Sequence, residues 1–213
     1  MPSPVSSPRR SSTPPKPRGT DAVRAGAVLL LAAAVVLGCR HAEPLPVLGE
    51  IPPFSLTERS GAPVTAQQLA GHVWVADFVF TRCPDICPAL STRMSALQEP
   101  LASGDDPVRL VSLSVDPAHD DPVVLSTYAS HYRAGPNWMF LTGSRDAVAG
   151  LLRNGFKVAF ADDGPPSSPI THSDRFVLVD RKLRIRGYYH GSDEEDMRRL
   201  VADARALRAE PAA

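Results

Sequence analysis

The chain has 213 residues, with Lys+Arg 23 balanced by Asp+Glu 23, and only three cysteines. Balanced charge gives no reason to expect a nucleic-acid partner or an acidic substrate. An apolar fraction of 43% suits a globular domain of ordinary size.

Residues 1–20 are crowded with Pro, Ser, Arg and Lys, a composition that cannot bury a core. The apolar run from Ala25 to Cys39 is shorter than the ~20 residues a spanning helix needs. A basic leader, a short apolar core and small residues before a cut site make a secretory signal. Val36-Leu37-Gly38-Cys39 resembles a bacterial lipobox, which implies that Cys39 is lipidated and becomes the new first residue. The alternative is an uncleaved short anchor with an incidental cysteine. Either way the remainder is membrane-anchored and faces the periplasm or another extracytoplasmic space, where exposed thiol pairs tend to oxidise. Residues 1–39 therefore read as a signal peptide with lipobox, 40–50 as a tether, 51–208 as one domain, and 209–213 as a tail.

Within the domain, strands and helices alternate. Trp74–Phe80 lacks polar alternation, as a strand covered on both faces does. Pro88–Leu101 carries Leu90, Met94, Leu97 and Leu101 at helical spacing. Val108–Val115 is a second strand, Pro122–Tyr132 a second helix and Trp138–Leu141 a third strand. Ser144 caps a helix that ends near Asn154-Gly155. Phe156–Phe160 reads as an edge strand, and Ala161–Pro169 as a Gly/Pro/Ser loop. Arg175–Asp180 and Leu183–Tyr188 form a hairpin, and Asp193 or Ser192 caps a last helix through about Leu207. The pattern predicts an α/β sandwich with a central mixed sheet flanked by helices.

Cys83 and Cys87 lie where the first buried strand turns into a helix, in Phe80-Thr81-Arg82-Cys83-Pro84-Asp85-Ile86-Cys87-Pro88. Four positions apart at such a turn, the two sulfurs can meet. A thiol pair at that junction fits a thioredoxin-like arrangement, beyond the carboxyl ends of the strands where open α/β sheets place ligands. A helix amino terminus favours a thiolate, so the thiol pKa is expected to fall. Three readings compete. A structural disulfide is common in secreted proteins, but so small a loop constrains the unfolded chain little. A redox dithiol usually has one residue fewer between its cysteines. A soft-metal site needs a third ligand.

Six histidines are candidates. His41 is in the tether, His72 is at the wrong end of the first strand, His131 ends a helix and His190 follows the hairpin. His119, just after the second strand, shares the cysteines' sheet edge. His172 is better placed, because in thioredoxin-like topology the start of the Arg175–Asp180 strand packs beside the active cysteines. Two thiolates and one imidazole suit copper, as Cu(I) or Cu(II). Zinc would need His119 or Asp116 as well.

The cysteine segment, the block Val111-Ser112-Leu113-Ser114-Val115-Asp116-Pro117, the block Trp138-Met139-Phe140-Leu141-Thr142-Gly143, and His172 ahead of Phe176-Val177-Leu178-Val179-Asp180 occur in one order. Together they resemble the Sco/SenC family of membrane-tethered, thioredoxin-like copper proteins that help assemble cytochrome c oxidase. The resemblance implies copper ligands Cys83, Cys87 and His172, with a role for Asp116 nearby. It implies a metallochaperone that passes copper to an oxidase subunit, partnered by an extracytoplasmic thiol reductant. The rival is an enzyme, a thiol-disulfide reductase or peroxidase acting on extracytoplasmic cysteines. A third reading is a copper-dependent redox sensor. Ala118-His119 replaces the charged residues common after the family's Asp-Pro block, and the loop before His172 is short.

Overall fold

The computed structural model describes residues 44–161 and 170–211, with residues 171 and 172 described through their backbone. The leader, the lipobox, Cys39 and loop residues 162–169 lie outside the described residues.

An eight-stranded mixed sheet is the frame, in the order β1-β10-β9-β4-β5-β6-β2-β3. Its strands are β1 (Gly49–Glu50), β2 (Ser55–Glu58), β3 (Pro63–Thr65), β4 (Trp74–Val79), β5 (Arg109–Ser114), β6 (Trp138–Thr142), β9 (Arg175–Val179) and β10 (Arg184–His190). β4, β5 and β6 run parallel, and β9 lies antiparallel on the other side of β4. The helices are α1 (Ala66–Leu69), α2 (Cys87–Leu101), α3 (Pro122–His131), α4 (Arg145–Gly150) and α5 (Glu194–Ala209). Strands β7 (Phe160–Ala161) and β8 (Thr171–His172) pair with each other as a separate two-stranded ribbon.

Every residue of β4 is buried, so alternate side chains feed two cores. Trp74, Ala76 and Phe78 face Val148, Leu151, Leu152 and Phe156. Val73 and Val75 join Leu90, Met94, Leu97, Leu125, Met197, Leu200 and Leu207, which lie on or beside α2, α3 and α5. The caps follow the sequence logic. The carboxylate of Asp193 accepts from the amides of Glu195 and Asp196, Ser144 Oγ accepts from Ala147, and Asp121 accepts from Val123 and Val124.

Two expectations are corrected. Residues 45–50 pack on the sheet: β1 pairs with β10, and the buried Arg186 guanidinium donates to the carbonyls of Leu45 and Pro46. The backbone of Phe156 is not strand. α4 continues as a π-helical segment, Leu151–Phe156, closed by Lys157 in the left-handed region at φ 54°. Strand begins only at Phe160, in β7. Between residues 51 and 69 the chain adds β2, β3 and α1, for which the sequence pattern predicts no element. Among the described residues no helix is long and apolar enough to cross a membrane.

Candidate metal and redox centre

β4 delivers the chain to the carboxyl end of the sheet, where it turns at once. The Cys83 amide donates to the Phe80 carbonyl at 3.2 Å, closing a tight turn. Ile86 then occupies the N-cap position of α2 without a side-chain cap; the first residue of α2 is Cys87, and its first turn accepts Pro88 at no hydrogen-bond cost. Cys87 is completely buried and Cys83 half-buried. Both are dithiol sulfurs rather than a disulfide, and they lie within hydrogen-bonding reach of each other.

For Cys87 the expected fall in thiol pKa is overturned. Burial, first of all, pushes it far above the ordinary range, and the Cys83 thiol and the charge of Asp77 add to the effect. Loss of water around the sulfur outweighs the helix terminus. Closing a disulfide or gripping a soft cation must therefore expel a proton from the interior.

Asp77 is the buried acid on β4. Its Oδ1 accepts from Ser112 Oγ at 2.5 Å, and that hydroxyl in turn accepts from Trp138 Nε1 at 2.9 Å. Its Oδ2 has no hydrogen-bond partner. Burial raises its pKa to about 7, against an ordinary 3.8. The lone acid in an apolar run was visible in the sequence as an anomaly, but its neighbours were not.

Asp116 is nearly buried, and its Oδ2 accepts from Arg82 Nε at 2.7 Å. It thus orients the arginine that precedes Cys83. His119 is exposed, in a turn whose amide donates to the Asp116 carbonyl. His72 lies at the far end of β4, between Asp106 (2.8 Å) and Arg109 (2.7 Å). His131 ends α3 in an exposed position, and His190 pairs with Asp174 at 3.0 Å.

His172 sits on β8, opposite Phe160. Two residues earlier, Ile170 is buried in the same apolar cluster as Cys87, with Cys83 packed against it. Ile170 also lines a cavity of about 210 Å³ with Arg82, Val115 and Asp116. The fold thus brings the backbone that carries His172 to the cysteines' side of the sheet. Among the described side chains, which do not include that of His172, no three His, Cys, Asp or Glu converge as a metal cluster.

The sequence pattern of the SCO1/SenC family matches residues 47–208. The chain belongs to this family. The SCO1 protein homolog of Bacillus subtilis is 32% identical over 163 residues, covering 76% of this chain and 84% of that protein. The solved structure of BsSco superposes with a TM-score of 0.69 at 30% identity, covering 80% of this Sco-family chain and all of that one. BsSco is described as a member of the Sco family of cytochrome c oxidase assembly proteins and as having a disulfide switch. Copper-bound ScoI of Bradyrhizobium japonicum superposes with a TM-score of 0.64 at 25% identity, covering 75% and 99% of the respective chains. The fold is α/β and thioredoxin-like, as expected.

Proposed function

We propose that this Sco-family chain is a copper metallochaperone acting in assembly of cytochrome c oxidase, with Cys83, Cys87 and His172 as ligands. One observation carries the reading. Two thiols within reach of each other share an apolar cluster with Ile170, two residues before His172 on β8. Two thiolates and an imidazole form a soft donor set suited to Cu(I) and tolerant of Cu(II). The copper-bound relative and the oxidase-assembly relative support the cargo and the pathway. Asp116 acts by orienting Arg82 rather than by binding copper, and His119 remains an auxiliary donor at the rim. A lipid on Cys39 holds the domain at the membrane, facing the periplasm or extracytoplasmic space.

The exposure difference favours a second role for the same pair. Half-buried Cys83 attacks a disulfide of the copper-receiving subunit, forming a mixed disulfide and releasing one target thiolate. Cys87 then displaces the second, closing the Cys83–Cys87 disulfide. Two electrons pass to the target, and an extracytoplasmic thiol reductant restores the pair.

The test is His172→Ala in the reduced protein. Tight copper binding is lost while oxidation of the dithiol proceeds as before. Undiminished copper affinity in that variant removes the three-ligand site. Turnover of a disulfide substrate no faster than with a free dithiol removes the exchange role. Lipid labelling that survives Cys39→Ala removes the anchor.

A further inference from the structure

The side chain of Asp120 is wholly buried in the loop after β5. Its Oδ1 accepts from the Thr81 hydroxyl at 2.6 Å. Its Oδ2 accepts from the Thr81 amide at 3.1 Å and from the Ser114 hydroxyl at 2.6 Å. Its own amide donates to the Asp116 carbonyl at 2.9 Å, and the Asp116 amide donates to Ser114 Oγ at 3.1 Å. One buried anion therefore ties together the two loops that leave the parallel neighbours β4 and β5.

A buried carboxylate is costly unless its lone pairs are filled, and short charge-assisted bonds are the ones that fill them best. Two of the three donors here belong to Thr81, two residues before Cys83. Thr81 stands where the chain stops being strand and begins the turn closed by the Cys83 amide.

We infer that Asp120 is a positioning residue for the dithiol: by gripping Thr81 through both its amide and its hydroxyl, it fixes how the chain enters the Cys83–Cys87 turn and keeps Cys87 sealed beneath it. The copper arm of this inference rests on the function proposed above. The grip on the turn does not.

The variants separate the two donors. Asp120→Asn replaces one of the two acceptor oxygens with an N–H₂, so the three donors from Thr81 and Ser114 can no longer all be met as they are. Thr81→Val keeps the shape and the amide but loses the hydroxyl, whereas Thr81→Ser keeps both donors. Three quantities are measured on the full chain. They are Cu(I) affinity by competition with a chromogenic chelator, the rate of iodoacetamide labelling of Cys87 resolved by mass spectrometry, and hydrogen exchange of the β9 amides as a monitor of global opening.

Asp120→Asn and Thr81→Val are expected to weaken Cu(I) binding at least tenfold and to speed Cys87 labelling at least tenfold, with β9 exchange unchanged. Thr81→Ser restores wild-type behaviour. Labelling within twofold of wild type in both altered variants overturns the inference, as does an equal effect in Thr81→Ser or a matching rise in β9 exchange. If Asp120→Asn does not fold, Thr81→Val at its partly exposed position decides the matter. Wild-type protein that binds no Cu(I) overturns the copper reading, and the labelling arm still decides the role of Asp120.

Discussion

Replacing Asp77 with asparagine isolates the energetic effect of one buried acid beside the dithiol. In the unfolded chain this carboxyl loses its proton near 3.8, whereas burial holds it until about 7 in the fold. Between those values the folded state carries a proton that the unfolded state has lost. Stability therefore falls as pH rises through this window, and the whole loss is in place above it. A shift of this size corresponds to roughly 4 kcal/mol. Asparagine cannot ionise, so it escapes that loss. Its carbonyl still accepts from Ser112, but its N–H₂ lies where Oδ2 has no partner, which costs about 1–3 kcal/mol. The net expectation is Asp77→Asn more stable than wild type by ~1–3 kcal/mol at pH 8, and equal or less stable at pH 5. Urea unfolding of the reduced protein, followed by fluorescence of the buried Trp74 and Trp138, measures this directly. Trp138 donates into the same network and reports local changes. Parallel stability profiles from pH 4 to pH 8 in the two proteins would refute the argument. Since the charge of Asp77 also helps hold the proton on Cys87, the variant should in addition lose that proton at lower pH, which the pH dependence of Cys87 alkylation reads.

Arg186→Met removes a nearly buried guanidinium that bonds Asp180 at 2.8 Å and the carbonyls of Leu45 and Pro46. It should cost about 3–5 kcal/mol in chemical unfolding and speed hydrogen exchange of residues 47–50, whereas a loss confined to stability would deny the clamp. Gly191→Ala sets a methyl against Leu90 Cδ2 and the Phe176 ring, closer than carbon atoms can approach. The overpacking should cost about 1–3 kcal/mol and displace the first turn of α2, detected as an altered Cys83 to Cys87 labelling ratio.

The elements that bury whole faces were legible in the sequence. β4 and β9 are apolar runs, and α2 and α5 carry core residues at helical spacing with a recognisable cap at Asp193. The short elements were not, because pairing rather than composition makes them strands. The β2–β3 hairpin does carry local signals: Gly61 in the turn, which takes φ +85°, and the Thr65–Gln68 capping box that opens α1. Asn154-Gly155 looked like a helix stop. Gly155 instead admits close approach, since a Cβ there would lie 2.8 Å from Leu151 Cδ1 and 2.9 Å from Pro52 Cδ, and Lys157 supplies the left-handed cap. At the centre, Cys83 and Cys87 announced themselves by type and spacing. Their supporting carboxylates did not, because Asp116 and Asp120 reach Arg82 and Thr81 across 34 and 39 residues. Such links depend on the register of β4 against β5, which no local pattern specifies.

The two outermost strands of the large sheet bear on how copies of this protein meet one another. β1 is two residues long, and β3 is three, beginning with Pro63, which has no amide hydrogen to offer. Neither flank presents a long row of open backbone groups on which a neighbouring molecule could zip up. Crowding many copies together, which favours runaway strand pairing in sheets with long bare margins, finds little purchase on this one.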